Sequence, residues 1–92
     1  MKNIRVHLIV EGRVQGVWFR ESTRIKAEEL NVKGWVKNRA DGSVEIVAEG
    51  ADEDIRKLIE WCHEGPPYAA VKKTTRTPQD FRNEFNSFNI VF

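Results

Sequence analysis

Arg20 ends the segment Gly12 to Arg20, GRVQGVWFR, and offers the most distinctive chemistry in the chain. A planar guanidinium can hold two phosphate oxygens at once, which a lysine ammonium cannot. Ahead of it Gly12 and Gly16 stand four residues apart. At the end of a strand and the start of a helix, such glycines let main-chain N–H groups turn toward one point, where the helix dipole also favours an anion. The segment reads as a cradle for a phosphate-sized group, although a plain glycine-bounded turn fits the same spacing. Other reactive side chains fit a site less well. His7 and His63 are the only histidines, far apart and without a supporting ligand pattern. Cys62 is the only cysteine, which excludes an internal disulfide and a cysteine-based metal cluster.

The elements that must carry these residues follow from periodicity. Ile4, Val6, Leu8 and Val10 alternate with Arg5, His7, Ile9 and Glu11, which predicts a strand with one face on a core and His7 on the other. A helix-like run begins near Glu21. Phe19, Thr23, Ala27 and Leu30 fall at helical spacing, Asn31 marks the end, and Ile25 points away from the stripe. Trp18 is expected to shield the turn rather than stack on a substrate.

Val32 to Arg39 and Ser43 to Glu49 surround Ala40-Asp41-Gly42 and predict an antiparallel hairpin. Val44, Ile46 and Ala48 face one way, Glu45, Val47 and Glu49 the other. Asn38 sits where the first arm meets the turn, and taken alone it reads as turn chemistry. Gly50 is expected to break the strand and Asp52 to cap a second helix. Ile55, Leu58, Ile59 and Cys62 form the inner stripe of that helix, so the thiol reads as a buried small hydrophobe. Gly65-Pro66-Pro67 stops it.

Ala70 to Thr77 is β-prone but polar on both parities, as a solvated edge strand should be. Pro78 to Asn86 reads as a loop pinned by Phe81 and Phe85, and Phe88, Ile90 and Phe92 as a fifth short strand. The expected fold is α+β: a ferredoxin-like βαββαβ sandwich, its antiparallel or mixed sheet carrying an added C-terminal strand and two helices on one face.

The chain has 92 residues, a formal net charge of +1 and no run of about 20 apolar residues. A membrane span and a signal peptide are unsupported, and a cytoplasmic protein is expected. Residues 1–26 hold six basic and two acidic side chains, whereas 28–64 hold five and ten. Positive charge thus gathers near the cradle, a bias that a solvated surface explains as well. Nucleic acid is not expected as a partner, because the outer positions His7, Glu11, Glu45, Val47 and Glu49 lack the stacking aromatics and basic rim such a surface uses.

Two segments, GRVQGVWFR at Gly12 to Arg20 and GWVKNRADGSVEIVAEG at Gly34 to Gly50, resemble the paired signatures of the acylphosphatase family. The resemblance extends through Thr23, Ala27 and Leu30, the Gly65-Pro66 region and the total length, with no departure at the motif positions. It implies one acylphosphatase-like domain over residues 1–92, hydrolysing the carboxyl-phosphate anhydride of acyl phosphates with neither metal nor cofactor. Carried over residue by residue, it implies that Arg20 binds the phosphate and Asn38 positions the attacking water. It also implies that the backbone amides of Gln15, Gly16, Val17, Trp18 and Phe19 grip the substrate. A monomer acting on a small acyl phosphate is expected, with inorganic phosphate as product and competitive inhibitor.

Such chemistry needs few groups. The leaving carboxylate has a conjugate-acid pKa of roughly 4, so it departs unprotonated and no general acid is required. Two alternatives accompany this reading: a domain that binds phosphate or an acyl phosphate without turnover, and the carbamoyl-phosphate-handling domain of a larger nickel-iron hydrogenase maturation protein. The end of the chain at Phe92, with no linker following, favours the free-standing enzyme.

Overall fold

Alternation of side chains dictates the first strand, β1 (Asn3–Arg13), which buries Val6, Leu8 and Val10 on one face. The structure is a computed structural model that describes residues 2–92; Met1, the first residue of the expected domain, lies outside the described residues. After β1 come α1 (Phe19–Glu29), β2 (Lys33–Asn38), β3 (Val44–Ala51), α2 (Asp52–Glu64), β4 (Ala70–Gln79) and β5 (Phe88–Ile90). The sheet order is β4-β1-β3-β2-β5. β1 is antiparallel to β3 and β4, β2 is antiparallel to β3, and β5 lies parallel to β2. This is the ferredoxin-like sandwich with its added strand.

One consequence of the pairing controls the site. β1 and β2 are both antiparallel to β3 and therefore run the same way, and β5 runs with β2. The segments that follow β1, β2 and β5 consequently emerge at one end of the sheet, where α1 also begins.

The core lies between the sheet and the helices. Phe19, Thr23 and Ala27 of α1 and Ile55, Leu58, Ile59 and Cys62 of α2 are buried against Leu8, Val36, Val44 and Ile46, as the helical periodicity predicts. α1 covers β2 and β5, and α2 covers β1, β3 and β4. Ile25 is exposed on the outer side of α1, and Asn31 follows the helix in the left-handed region at φ 58°.

Several boundaries differ from the sequence reading. β3 runs through Gly50 to Ala51, because pairing with Ile4 and Asn3 continues past the glycine. Asp52 does not cap α2: Ala51 stands at the cap, and the Asp52 carboxylate accepts instead from Arg56 Nε at 2.9 Å. β4 extends two residues further than expected, Pro78 and Gln79 pairing with Val6 and Arg5. A proline is tolerated there because β4 is an edge strand. Phe92 lies beyond β5 and is almost fully exposed.

The helix-free face is less open than alternation suggests. Val47 and Glu49 are buried there, and residues 80–86 reach across to Glu49 as a strap. The Glu49 carboxylate accepts from the main-chain N–H of Arg82 at 2.8 Å and of Glu84 at 3.1 Å, and Arg5 Nη1 lies 3.3 Å from it. Arg5 also pairs with Glu84, donates to Gln79 at 2.7 Å and faces the Phe85 ring at 5.2 Å. Phe81 remains partly exposed, so the strap is held chiefly by charge and hydrogen bonds rather than by two phenylalanines.

Candidate active site

Residues 14–18 connect β1 to α1 at the end of the sheet where β2 and β5 also terminate. The backbone of this loop alternates in hand: Gly16 has φ 74° and Trp18 φ 67°, while Val17 between them stays outside the positive-φ region. Alternation of this kind turns successive N–H groups toward one concavity, the nest geometry that binds anions. Trp18 occupies the cap position of α1 with no side-chain hydrogen bond. The first N–H groups of the helix are thereby left to whatever lies in front of them.

Gly12 plays a different part from the one expected. It lies inside β1 at a bulge in the pairing with β4, and a Cβ on it would come within 2.3 Å of the Ala70 carbonyl oxygen. Its role is close backbone approach, and the cradle reduces to the residues after Arg13. Trp18 also departs from expectation. Val14 and Val17 are the buried residues that shield the turn, whereas Trp18 is 73% exposed at the mouth of a cleft. A left-handed backbone at position 18 carries the indole outward, at a conformational cost of about 1–2 kcal/mol for a non-glycine residue.

The cleft has a volume of about 400 Å³ and brings the sequence-predicted groups together: Gly16, Trp18, Phe19, Arg20 and Asn38 all line it. Arg20, in the first turn of α1, has no carboxylate within ion-pair distance among the described residues, and its guanidinium lies 5.1 Å from the centre of the Phe92 ring. Glu21 also borders the cleft but is paired with Arg24, which reaches Glu28 at 3.0 Å as well.

Asn38 ends β2 on the same face as the buried Val36, so the strand alternation that packs the core also aims Asn38 at the head of α1. Its Oδ1 is buried and has no hydrogen-bond partner among the described residues. A buried carbonyl oxygen left unpaired costs about 1–3 kcal/mol, so it calls for a donor from the cleft.

One candidate site residue departs in part from the sequence reading. Gln15 was expected to contribute only its amide, but its side chain donates to the carbonyls of Arg39 at 2.8 Å and Ser43 at 2.9 Å. It ties the anion loop to the β2–β3 turn. That turn is itself closed by Asp41, whose Oδ1 accepts from Ser43 Oγ at 2.6 Å and Ser43 N at 3.0 Å. Those two bonds, the hydroxyl first, hold the Asp41 carboxyl below its ordinary range. No sequence spacing announces a bridge across so many residues.

His7 lies on the helix-free face, 2.7 Å from Glu45, and does not border the cleft. Cys62 is buried in the core, where burial pushes its pKa up to about 12. Among the described residues no group of three or more His, Cys, Asp or Glu side chains could hold a metal ion. No helix of the described chain is long and apolar enough to cross a membrane.

An α+β sandwich of ferredoxin-like topology whose first helix opens on a nest of main-chain amides, with an arginine and an asparagine facing one cleft, defines a class of anion-handling protein. Comparison with known proteins narrows the class. The acylphosphatase family model matches residues 6–90. An acylphosphatase from Pelotomaculum thermopropionicum is 48% identical over 92 residues, covering all of both chains. The crystal structure of acylphosphatase from Bacillus subtilis matches with a TM-score of 0.93 at 37% identity, covering 97% of this chain and 99% of that one. T. kodakarensis HypF matches with a TM-score of 0.84 at 33% identity, over 97% of this chain but 12% of HypF. The chain belongs to the acylphosphatase family, a family of enzymes.

Proposed function

We propose that this chain hydrolyses acyl phosphates at the cleft between α1 and the end of β2, with Arg20 and Asn38 as its catalytic residues and with no metal. The observation that carries this reading is the buried, unpartnered Oδ1 of Asn38 in the same cleft as Arg20 and the anion loop. The N–H groups of Gln15, Gly16, Val17, Trp18 and Phe19 together with the Arg20 guanidinium hold the three phosphoryl oxygens. Asn38 Oδ1 accepts a hydrogen bond from a water and holds it in line behind phosphorus.

The water oxygen forms a bond to phosphorus as the bond from phosphorus to the acyl oxygen breaks, and that oxygen leaves with the electron pair as a carboxylate. A proton of the water passes to a phosphate oxygen, because a neutral carboxamide is too weak a base to keep it. Catalysis here is positioning and electrostatic stabilisation, the terms that dominate phosphoryl transfer generally. The greater identity and TM-score to the B. subtilis acylphosphatase than to T. kodakarensis HypF favour this reading over a carbamoyl-phosphate-handling or non-catalytic domain of a larger protein. The proposal extends to a monomeric cytoplasmic enzyme of one domain, the single domain being supported by a family model that spans residues 6–90.

Steady-state release of phosphate from acetyl phosphate tests it. Removing one preorganised group typically lowers kcat by about 10² to 10³, and Asn38→Ala is expected to fall by that much with little change in KM. Arg20→Gln should lose more in kcat/KM, because binding and turnover both draw on the guanidinium. Inorganic phosphate should compete with substrate, and a chelator should leave the rate unchanged. Near-normal kcat in folded Asn38→Ala would refute the role given to that residue.

A further inference from the structure

We infer that Arg24 is a positioning residue for substrate binding: it holds the Glu21 carboxylate off Arg20, so that the one cation lining the cleft stays free for a phosphoryl group. This rests on the reading of the cleft as an acyl phosphate site.

The need for such a residue comes from Glu21. Arg20 and Glu21 are the two charged side chains in the cleft lining, and they are neighbours in the chain. A phosphoryl group brings negative charge to that lining, so a loose carboxylate there would oppose binding in either of two ways. It would repel the phosphoryl oxygens directly, or it would pair with Arg20 and occupy the guanidinium meant for them.

Arg24 engages that carboxylate. Its Nε donates to Glu21 Oε1 at 2.9 Å, and its Nη2 donates to the same oxygen. Its Nη1 donates to both carboxylate oxygens of Glu28, each at 3.0 Å. The spacings i, i+3 and i, i+4 set the three residues along one strip of α1. A planar fork of donors lets one guanidinium hold two carboxylates at once, so Glu28 fixes Arg24 from behind while Arg24 restrains Glu21 in front.

Surface pairs at this spacing commonly do no more than support a helix. The other helical pairs, Lys26 with Glu29, Arg56 with Asp52 and Lys57 with Glu53, lie away from the cleft lining. Only the Glu21–Arg24–Glu28 ladder has a carboxylate in that lining. Restraint of Glu21 acts on ground state and transition state alike, so it belongs in KM rather than in kcat.

The test pairs steady-state hydrolysis of acetyl phosphate with calorimetric titration by inorganic phosphate, both at low ionic strength. Arg24 is a partly exposed helix residue and glutamine is a good helix former, so Arg24→Gln should fold. It is expected to raise KM and the phosphate dissociation constant about fivefold, with kcat within about twofold of wild type and the defect shrinking in about 0.5 M NaCl. Adding Glu21→Gln should restore both constants, because the carboxylate that Arg24 restrains is then gone. Adding Glu28→Gln instead, which restores the same net charge, should not. Unchanged constants in Arg24→Gln, or equal rescue by the two second substitutions, overturns the proposal. If the wild type turns over no acyl phosphate, the proposed hydrolysis fails, and the phosphate titration alone decides the role of Arg24. Weaker binding in Arg24→Gln that only Glu21→Gln restores supports it; equal binding, or no binding in the wild type, overturns it.

Discussion

Asn38 and Cys62 show how the periodicity of a strand or a helix decides whether a polar or reactive side chain faces a cleft or the core. Asn38 shares a sheet face with Val36, yet it stands one step beyond the end of the core, and its carbonyl oxygen is buried without a donor among the described residues. Taken alone, an asparagine beside Ala40-Asp41-Gly42 reads as turn chemistry, and only the paired motif singles it out. Asp41 and Ser43 in fact perform the turn chemistry. Cys62 follows the opposite course, because a nucleophile must be exposed and ionised, and this thiol is neither. Burial pushes its pKa up to about 12. Folded protein at pH 8 is therefore expected to leave Cys62 unmodified by iodoacetamide over hours while urea-unfolded protein reacts within minutes, as mass spectrometry of the intact chain would show.

At the scale of elements, the loop between β1 and α1 and the β2–β3 turn act as one unit because Gln15 joins them. Its amide spans to the carbonyls of Arg39 and Ser43 with both donated bonds close to 3 Å. A typical hydrogen bond contributes about 0.5–1.5 kcal/mol net, so Gln15→Ala should lose about 1–3 kcal/mol in urea unfolding. It should also lower kcat/KM about tenfold by loosening Asn38 relative to the cradle. Gln15→Glu, which offers acceptors to two carbonyls, should be no better than alanine. A Gln15→Ala variant with normal kcat/KM would show that loop and turn keep their geometry independently. The elements themselves are largely legible in the sequence, since periods of 2 and 3.6 together with runs of β-prone residues, the only signal for β4, locate every strand and helix. What periodicity misses is local: the bulge at Gly12, the outward indole of Trp18, and the continuation of β3 past Gly50 depend on neighbours far along the chain.

For the whole molecule, strand direction decides function, because β1, β2 and β5 all end on the side where α1 begins. Element order makes that convergence predictable, whereas the strap across the helix-free face is not. Glu49 alternates with core residues and reads as an outer position, yet the strap buries it. Burial opposes ionisation of Glu49, but the N–H groups of Arg82 and Glu84 and the Arg5 guanidinium outweigh it and hold its pKa below the ordinary value. A carboxyl depressed in the folded state contributes stability that is fully present above its unfolded pKa of about 4.3 and is lost as pH falls through the lower folded value. Glu49→Gln is expected to lower stability by about 1–3 kcal/mol at pH 6 and to lose less than the wild type between pH 6 and pH 3 in urea unfolding. The account as a whole stands on the phosphoryl group, rather than the carbonyl, being the part of the substrate that the cradle holds and the water attacks. Hydrolysis of acetyl phosphate in ¹⁸O-labelled water reads this directly by mass spectrometry of both products. Label in inorganic phosphate and none in acetate is the predicted result, and label in acetate would contradict it.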